Sequence, residues 1–273
     1  MVVEGSVVKF QSNRGQGSLL LVLGLLTALY FSCSGTPRDA DTVIDRMVDA
    51  YGGPEKLERL ESFTGKGFIK DPLGQSVIRY YPYDHYQRDT LVKTKVVLLE
   101  KGEPYNIKYA TFDGLNLRSV DKNNDRFYQP MTEFVMIDYR FPLVFDWLQS
   151  TELEGMLTDD GEESGMCRIE YVDTFNVIEV GIDREEWLLR YVRFEDRSDS
   201  LRSYIETYSD YWKVEGIPFP SRFTAKLRDV RPYYEYYFTK IEIDADLPDS
   251  TFILSPEELA QVPPKGTSPV ERE

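Results

Sequence analysis

From residue 63 to residue 244 the chain offers an almost unbroken succession of strand signals, separated by turn chemistry and containing very little that reads as helix. The separators are Asp71-Pro72-Leu73-Gly74, Asp113-Gly114, Lys122-Asn123-Asn124-Asp125 and Gly216-Ile217-Pro218, residue types that favour tight reversals. Strands are predicted over 63–70, 75–82, 84–91, 93–100, 105–112, 116–121, 126–129 and 133–140. A second set follows over 166–173, 176–183, 187–196, 200–212, 219–229 and 233–244. Parallel pairing needs long crossovers, and none fits between runs this close, so the pattern implies sequential antiparallel hairpins. Nineteen tyrosines and fifteen phenylalanines suit strands. No repeat of fixed period is present.

The faces of these strands indicate curvature. Ile178, Val180 and Ile182 alternate with polar or small residues, as do Cys167, Ile169 and Tyr171. Over 233–243 both faces carry large groups: Tyr234, Tyr236 and Phe238 on one, Tyr233, Tyr237, Ile241 and Ile243 on the other. Tyrosine tolerates a partly wet surface with its hydroxyl outward. An α+β fold fits best, with a strongly curved antiparallel sheet, an apolar concave face and a Tyr-rich convex face.

Two short amphipathic helices are available to cover the concave side. Val43, Ile44, Met47, Val48 and Tyr51 form one stripe over 41–51, with Asp39 or Asp41 as N-cap and Gly52-Gly53 as a left-handed stop. Pro54 suits the first turn of a further short helix through Leu57 and Leu60. Leu143, Val144, Trp147 and Leu148 repeat the first stripe over 141–149, ahead of an acidic loop over 158–165. Ser255-Pro256-Glu257-Glu258 reads as a capping box. The tail over 263–273 is Pro-rich and charged, which predicts disorder.

At the other end, residues 19–31 are apolar and uncharged, too short for a span of about 20 residues. Lys9 and Arg14 precede them, as in an export signal. Ser32-Cys33 at the end of this core resembles a bacterial lipobox, although Tyr30 stands where Leu or Val is usual. The expected organisation is a lipoprotein signal peptide over 1–32, an acylated Cys33, a tether over 33–40, one β-rich domain over 41–254, and a capped turn and tail over 255–273. Ser34 after the cysteine points to an outer-membrane lipoprotein facing the periplasm, with the inner membrane and the cell surface as alternatives.

Composition excludes several functions. Residues 1–32 carry a net charge of +1, so their removal takes the chain from −15 to about −16. Such a surface repels nucleic acid. His85 is the only histidine, in Tyr83-Asp84-His85-Tyr86, and reads as a strand residue at a turn. No Gly-x-Ser-x-Gly elbow, Gly-rich phosphate loop or zinc ligand set is present. The run 121–125 mimics the start of a calcium loop, but Arg126 replaces the required Gly and Thr132 the closing Glu. Carboxylate pairs such as Asp159-Asp160 and Glu185-Glu186 are expected by chance among 47 acidic residues. No catalytic residue, metal site or cofactor is therefore expected. Cys167 is either a disulfide partner of Cys33 or, if Cys33 is acylated, a small buried apolar residue.

Three stretches resemble the LolA/LolB-like lipoprotein-sorting superfamily. They are Arg46-Met47-Val48-Asp49-Ala50-Tyr51-Gly52-Gly53-Pro54-Glu55-Lys56-Leu57, then Tyr211-Trp212-Lys213-Val214-Glu215-Gly216-Ile217-Pro218-Phe219-Pro220, then Phe238-Thr239-Lys240-Ile241-Glu242-Ile243-Asp244 through Leu247-Pro248-Asp249-Ser250-Thr251-Phe252. The resemblance implies an unclosed β-barrel with helices in its concave face and a hydrophobic cavity for acyl chains. Its own apparent anchor sets this chain apart from the soluble carrier and likens it to membrane-anchored members. Candidate lining residues are Val43, Met47, Leu143, Trp147, Ile169, Tyr171, Ile178, Val180 and Ile182, which serve equally as a solid core. Burial of an acyl chain gains about 0.8 kcal/mol per CH₂, without any catalytic group. The expected function is lipid or lipoprotein acyl binding by a monomer, for sorting or transfer. The alternative is a non-transporting envelope sensor or scaffold with a protein partner.

Overall fold

The structure, a computed structural model, describes residues 39–70, 80–100, 103–113, 116–128, 141–198, 203–227 and 234–262. The expectations for 1–38, including Cys33, for the strand over 133–140 and for the tail over 263–273 lie outside the described residues. The first series of strands is β1 Ser62–Lys70, β2 Tyr80–Arg88, β3 Leu91–Glu100, β4 Glu103–Asp113, β5 Leu117–Asp121 and β6 Asn124–Tyr128. The second is β7 Met156–Asp160, β8 Met166–Val172, β9 Asn176–Asp183, β10 Leu189–Asp196, β11 Ser203–Val214, β12 Ile217–Leu227 and β13 Tyr234–Ile243. They form one antiparallel sheet in the order β6-β5-β4-β3-β2-β1-β13-β12-β11-β10-β9-β8-β7. Two meanders thus meet where the last strand pairs with the first. Among the described residues, strands β6 and β7 are the two edges, and the barrel is unclosed.

Two differences from the sequence reading have clear causes. The strands expected over 75–82 and 84–91 include one continuous strand, β2, because the polar run Tyr83-Asp84-His85 is mid-strand rather than a turn. The expected acidic loop contains the edge strand β7, whose carboxylates face outward or cap the following turn. Charged residues on an edge strand discourage further pairing, so they coexist with strand structure.

Helix α1, Ala40–Tyr51, starts where the Asp39 carboxylate accepts from the Thr42 N–H at 2.8 Å. It stops at Gly52, φ +98°, where the Gly52 and Gly53 N–H groups donate to the Asp49 and Val48 carbonyls. The short α2, Pro54–Glu58, buries Leu57. Helix α3, Val144–Ser150, follows Phe141, whose N–H donates to the buried Tyr208 hydroxyl at 3.0 Å. Phe145 of α3 lies 4.6 Å from the Tyr51 ring of α1. The Tyr51 hydroxyl donates to that of Tyr211, which in turn donates to the Leu189 carbonyl, pinning α1 to the sheet.

The opposite face of β3–β5 is covered by the chain's own C-terminal segment. The 3₁₀ turn Asp249–Phe252 and helix α4, Pro256–Gln261, lie there. The Lys93 ammonium, nearly buried, meets Glu258 at 2.6 Å, and Tyr109 donates to Gln261 at 3.1 Å. Leu254 packs with Tyr109 and Val120. Ser255 forms the expected capping box with Glu258.

Candidate functional site

The concave face is filled unevenly. Cys167, Ile169, Tyr171, Ile178, Val180 and Ile182 on β8 and β9 are between 0% and 4% exposed. Val43 and Met47 of α1 are at 0%, in the same continuous core. Trp147 of α3 is partly buried against it, edge-on to Tyr171 at 5.0 Å. Eight of the nine expected lining residues therefore gather at one half of the sheet. The ninth, Leu143, packs apart from them with Phe112, Val92 and Leu117.

The other half was missed by the sequence reading. Val92, Thr94, Val96 and Leu98 of β3 share the concave face with Ala110 and Phe112 of β4 and with Leu117 and Ser119 of β5. Except for Phe112 these residues are only half-buried. A signal was present: Lys93 and Lys95 interleave with Val92, Thr94 and Val96, so parity alone separates the two faces.

Polar side chains stand on this face in a row along β2. The Tyr83 hydroxyl lies 2.9 Å from His85 Nδ1, and His85 Nε2 lies 3.2 Å from Gln87 Oε1. With the amide in this orientation, the neutral tautomer protonated on Nε2 satisfies both contacts. The imidazole stacks on Phe63 at 4.9 Å and 17°. Negative charge crowds the nearby end of the strand. Burial raises the Glu61 and Asp146 carboxyls above their ordinary range, and repulsion within the set Glu58, Glu61, Asp89 and Asp146 adds to it.

Chemistry beyond binding is sparse. Burial raises the Cys167 thiol, and its Sγ donates to the Asp160 carbonyl at 3.2 Å. Asp159 is held below the carboxylate range, chiefly by the Gly161 N–H, the opposite of what a general acid needs. Burial, with a smaller contribution from Asp41, pushes Tyr171 up to about 12. Among the described residues no three His, Cys, Asp or Glu side chains are placed to hold a metal ion. No described helix is long and apolar enough to cross a membrane.

No protein-family model matches the chain, and no curated protein matches it. Solved structures do. A LolA superfamily protein from Nitrosomonas europaea superposes with a TM-score of 0.51 at 12% identity, covering 80% of this chain and 98% of that one. A DUF1329 family protein from Desulfovibrio piger gives 0.52 at 10% identity, again covering 80% and 98%. The chain thus has a LolA-like fold, an unclosed antiparallel β-barrel with a few helices.

Proposed function

We propose that this protein is an envelope lipoprotein, anchored through Cys33, that binds acyl chains of lipids or lipoproteins on its concave face without catalysing a reaction. The observation that carries this reading is the uneven filling of that face. One half is sealed by α1 and α3, while apolar residues of β3–β5 on the same face keep part of their surface exposed. Apolar surface facing the inside of a half-barrel is available to an apolar ligand, and each methylene buried there contributes about 0.8 kcal/mol. The LolA-like fold supports the same reading, since its resemblance implies acyl binding. The apolar run ahead of Cys33 supports export and an envelope location, with the outer membrane favoured by Ser34.

Mass spectrometry of organic extracts from protein purified without detergent tests the binding. Co-purifying acyl species in near-stoichiometric amount are expected, and their repeated absence overturns the reading. Palmitate labelling that persists in Cys33→Ser refutes the anchor while leaving the binding question separate. A non-transporting scaffold is the second reading, favoured by the solid packing of the β8–β10 half. It predicts a stable protein partner in pull-downs and acyl-free protein.

A further inference from the structure

Exposed apolar side chains cluster at one corner of the sheet, where β7 begins and β8 turns into β9. Phe175, in that turn, is 67% exposed, and Met156 and Val172 are 55% and 43% exposed. Apolar residues scattered singly over a surface need no explanation, but these lie together. Met156 opposes Glu170, Val172 follows two residues later on the same face of β8, and Val172 opposes Val177 of β9. This is the convex face, since Cys167, Ile169 and Tyr171 point the other way into the core. The tip is held by its own turn. The Asp173 carboxylate accepts from the Phe175 and Asn176 N–H groups at 2.6 Å, and the Phe175 carbonyl accepts from the Arg197 N–H at 2.7 Å. An apolar ring presented on fixed backbone loses little freedom when it is covered.

The course of the chain points to what covers it. Asp41, in the first turn of α1, is close enough to Tyr171 for its charge to act on that hydroxyl. Arg46, further along the helix, lies 4.8 Å over the Trp187 ring, in the turn at the opposite end of β9. Helix α1 therefore runs with its N-terminus towards the apolar corner. Its cap, Asp39, stands six residues after Cys33. At ~3.5 Å each these residues span at most about 20 Å, so an acylated Cys33 brings a bilayer within reach of the corner. Charge narrows the kind of surface. Glu170, Asp173, Glu179 and Glu195 border the corner and outnumber Arg193 and Arg197, and Arg193 is itself paired to Glu195 at 2.7 Å. Such a border repels anionic headgroups and tolerates zwitterionic ones.

We infer that this corner is a second membrane contact, in which Phe175, Met156 and Val172 enter a zwitterionic lipid surface beside the acyl anchor and fix the orientation of the domain. The assignment rests on the anchored reading of Cys33 and is independent of what the concave face binds. Covered in this way, the apolar start of the edge strand is withheld from pairing with other chains.

Fluorescence quenching on the mature lipoprotein in phosphatidylcholine vesicles tests it. A nitrobenzoxadiazole probe is attached at Thr174→Cys, beside Phe175, and in a reference protein at Ile253→Cys, an exposed apolar position on the C-terminal segment. Cys167 is fully buried, and an acylated Cys33 has no thiol to label. Doxyl-labelled lipid is expected to quench the probe at 174 several-fold more than the probe at 253. Phe175→Ser, an exchange at an exposed position, is expected to lower quenching at 174 to the reference level while the protein still floats with the vesicles. Adding phosphatidylglycerol is expected to weaken the quenching, and no change would overturn the zwitterionic preference. Equal quenching at both positions, or quenching at 174 that survives Phe175→Ser, overturns the docking and leaves the anchor standing. Protein that does not float overturns the anchor, and the docking with it. A second copy of the chain is the competing occupant: a Cys33→Ser dimer in sedimentation that Phe175→Ser converts to monomer overturns the membrane assignment.

Discussion

Glu235 is the residue that most clearly combines burial with charge. It lies on the convex face of β13 with 2% of its surface exposed, and it meets Lys70 at 2.7 Å as well as Arg222 and the Tyr237 hydroxyl. Burial alone would raise its pKa, but the hydrogen bonds from Lys70, Tyr237 and Arg222 outweigh it and hold the carboxyl below its ordinary value. A folded-state pKa depressed in this way contributes stability above the unfolded value, near pH 4.3. That contribution is lost as the pH falls through the folded value. Glu235→Gln is therefore expected to cost about 2 kcal/mol at pH 7 and to flatten the acid limb of the stability profile below about pH 4.5. Urea midpoints from pH 3 to pH 7 check it, and an unchanged acid limb in the variant contradicts it. Nothing in the sequence marked Glu235 among 47 acidic residues, because only folding brings Lys70 and Arg222 to it from neighbouring strands. His85 was visible as the sole histidine, yet its place on the concave face depends on a register that local sequence does not carry.

Among the elements, the pairing of β1 with β13 explains why residues 233–243 resisted a one-faced reading. The register shifts between Lys66 and Gly67, so that Gly67 opposes Phe238 while Lys66 opposes Lys240. The extra residue reverses the parity along β13. Phe238, Ile241 and Ile243 consequently all enter the core, although strict alternation sets Phe238 against the two isoleucines. A bulge has no reliable short-range signal, which is why apolar groups on both parities read as a two-faced strand. The glycine is its steric condition: a Cβ at Gly67 would stand 1.8 Å from the Tyr237 carbonyl oxygen, which is backbone and has little freedom to retreat. A Cβ at Gly65 would meet the Phe238 ring at 2.3 Å, and a side chain can turn aside. Gly67→Ala is expected to destabilise by about 3 kcal/mol and Gly65→Ala by about 1 kcal/mol. Chemical denaturation of the two variants side by side gives the ranking, and equal costs would remove the bulge from the explanation. Helix α1, by contrast, was legible to within one residue, because its stripe and glycine stop are local signals, with only the choice of Asp39 over Asp41 as cap left to the structure.

At the scale of the whole molecule, one sheet supports two differently built halves. Strands β8–β10 are stabilised from the concave side, where α1 and α3 seal residues at 0% to 4% exposure. The concave face is half-open over β3–β5, and strands β2–β5 are secured from the convex side by the C-terminal segment. The sequential hairpins within each meander followed from turn chemistry and close spacing, whereas the pairing of β1 with β13 that joins the meanders did not. The division of labour did not, because it depends on which distant segment covers which face. A sheet held from the back leaves its front free for a ligand, so removing the support is expected to loosen the proposed binding half alone. Truncation after Leu247 takes Asp249 and Phe252 from Arg88, which keeps only the Leu247 carbonyl, takes Glu258 from Lys93, and removes the packing of Phe252 and Leu254. Loss of two buried apolar side chains and of the counter-charge to a nearly buried lysine is expected to cost about 3–5 kcal/mol. Hydrogen exchange followed by mass spectrometry resolves where that cost falls. Amides of β2–β5 are expected to lose protection by at least tenfold, while those of β8–β10 keep theirs. Uniform loss across all strands would mean that the sheet opens as one unit, and the concave floor then has no independent support to lose.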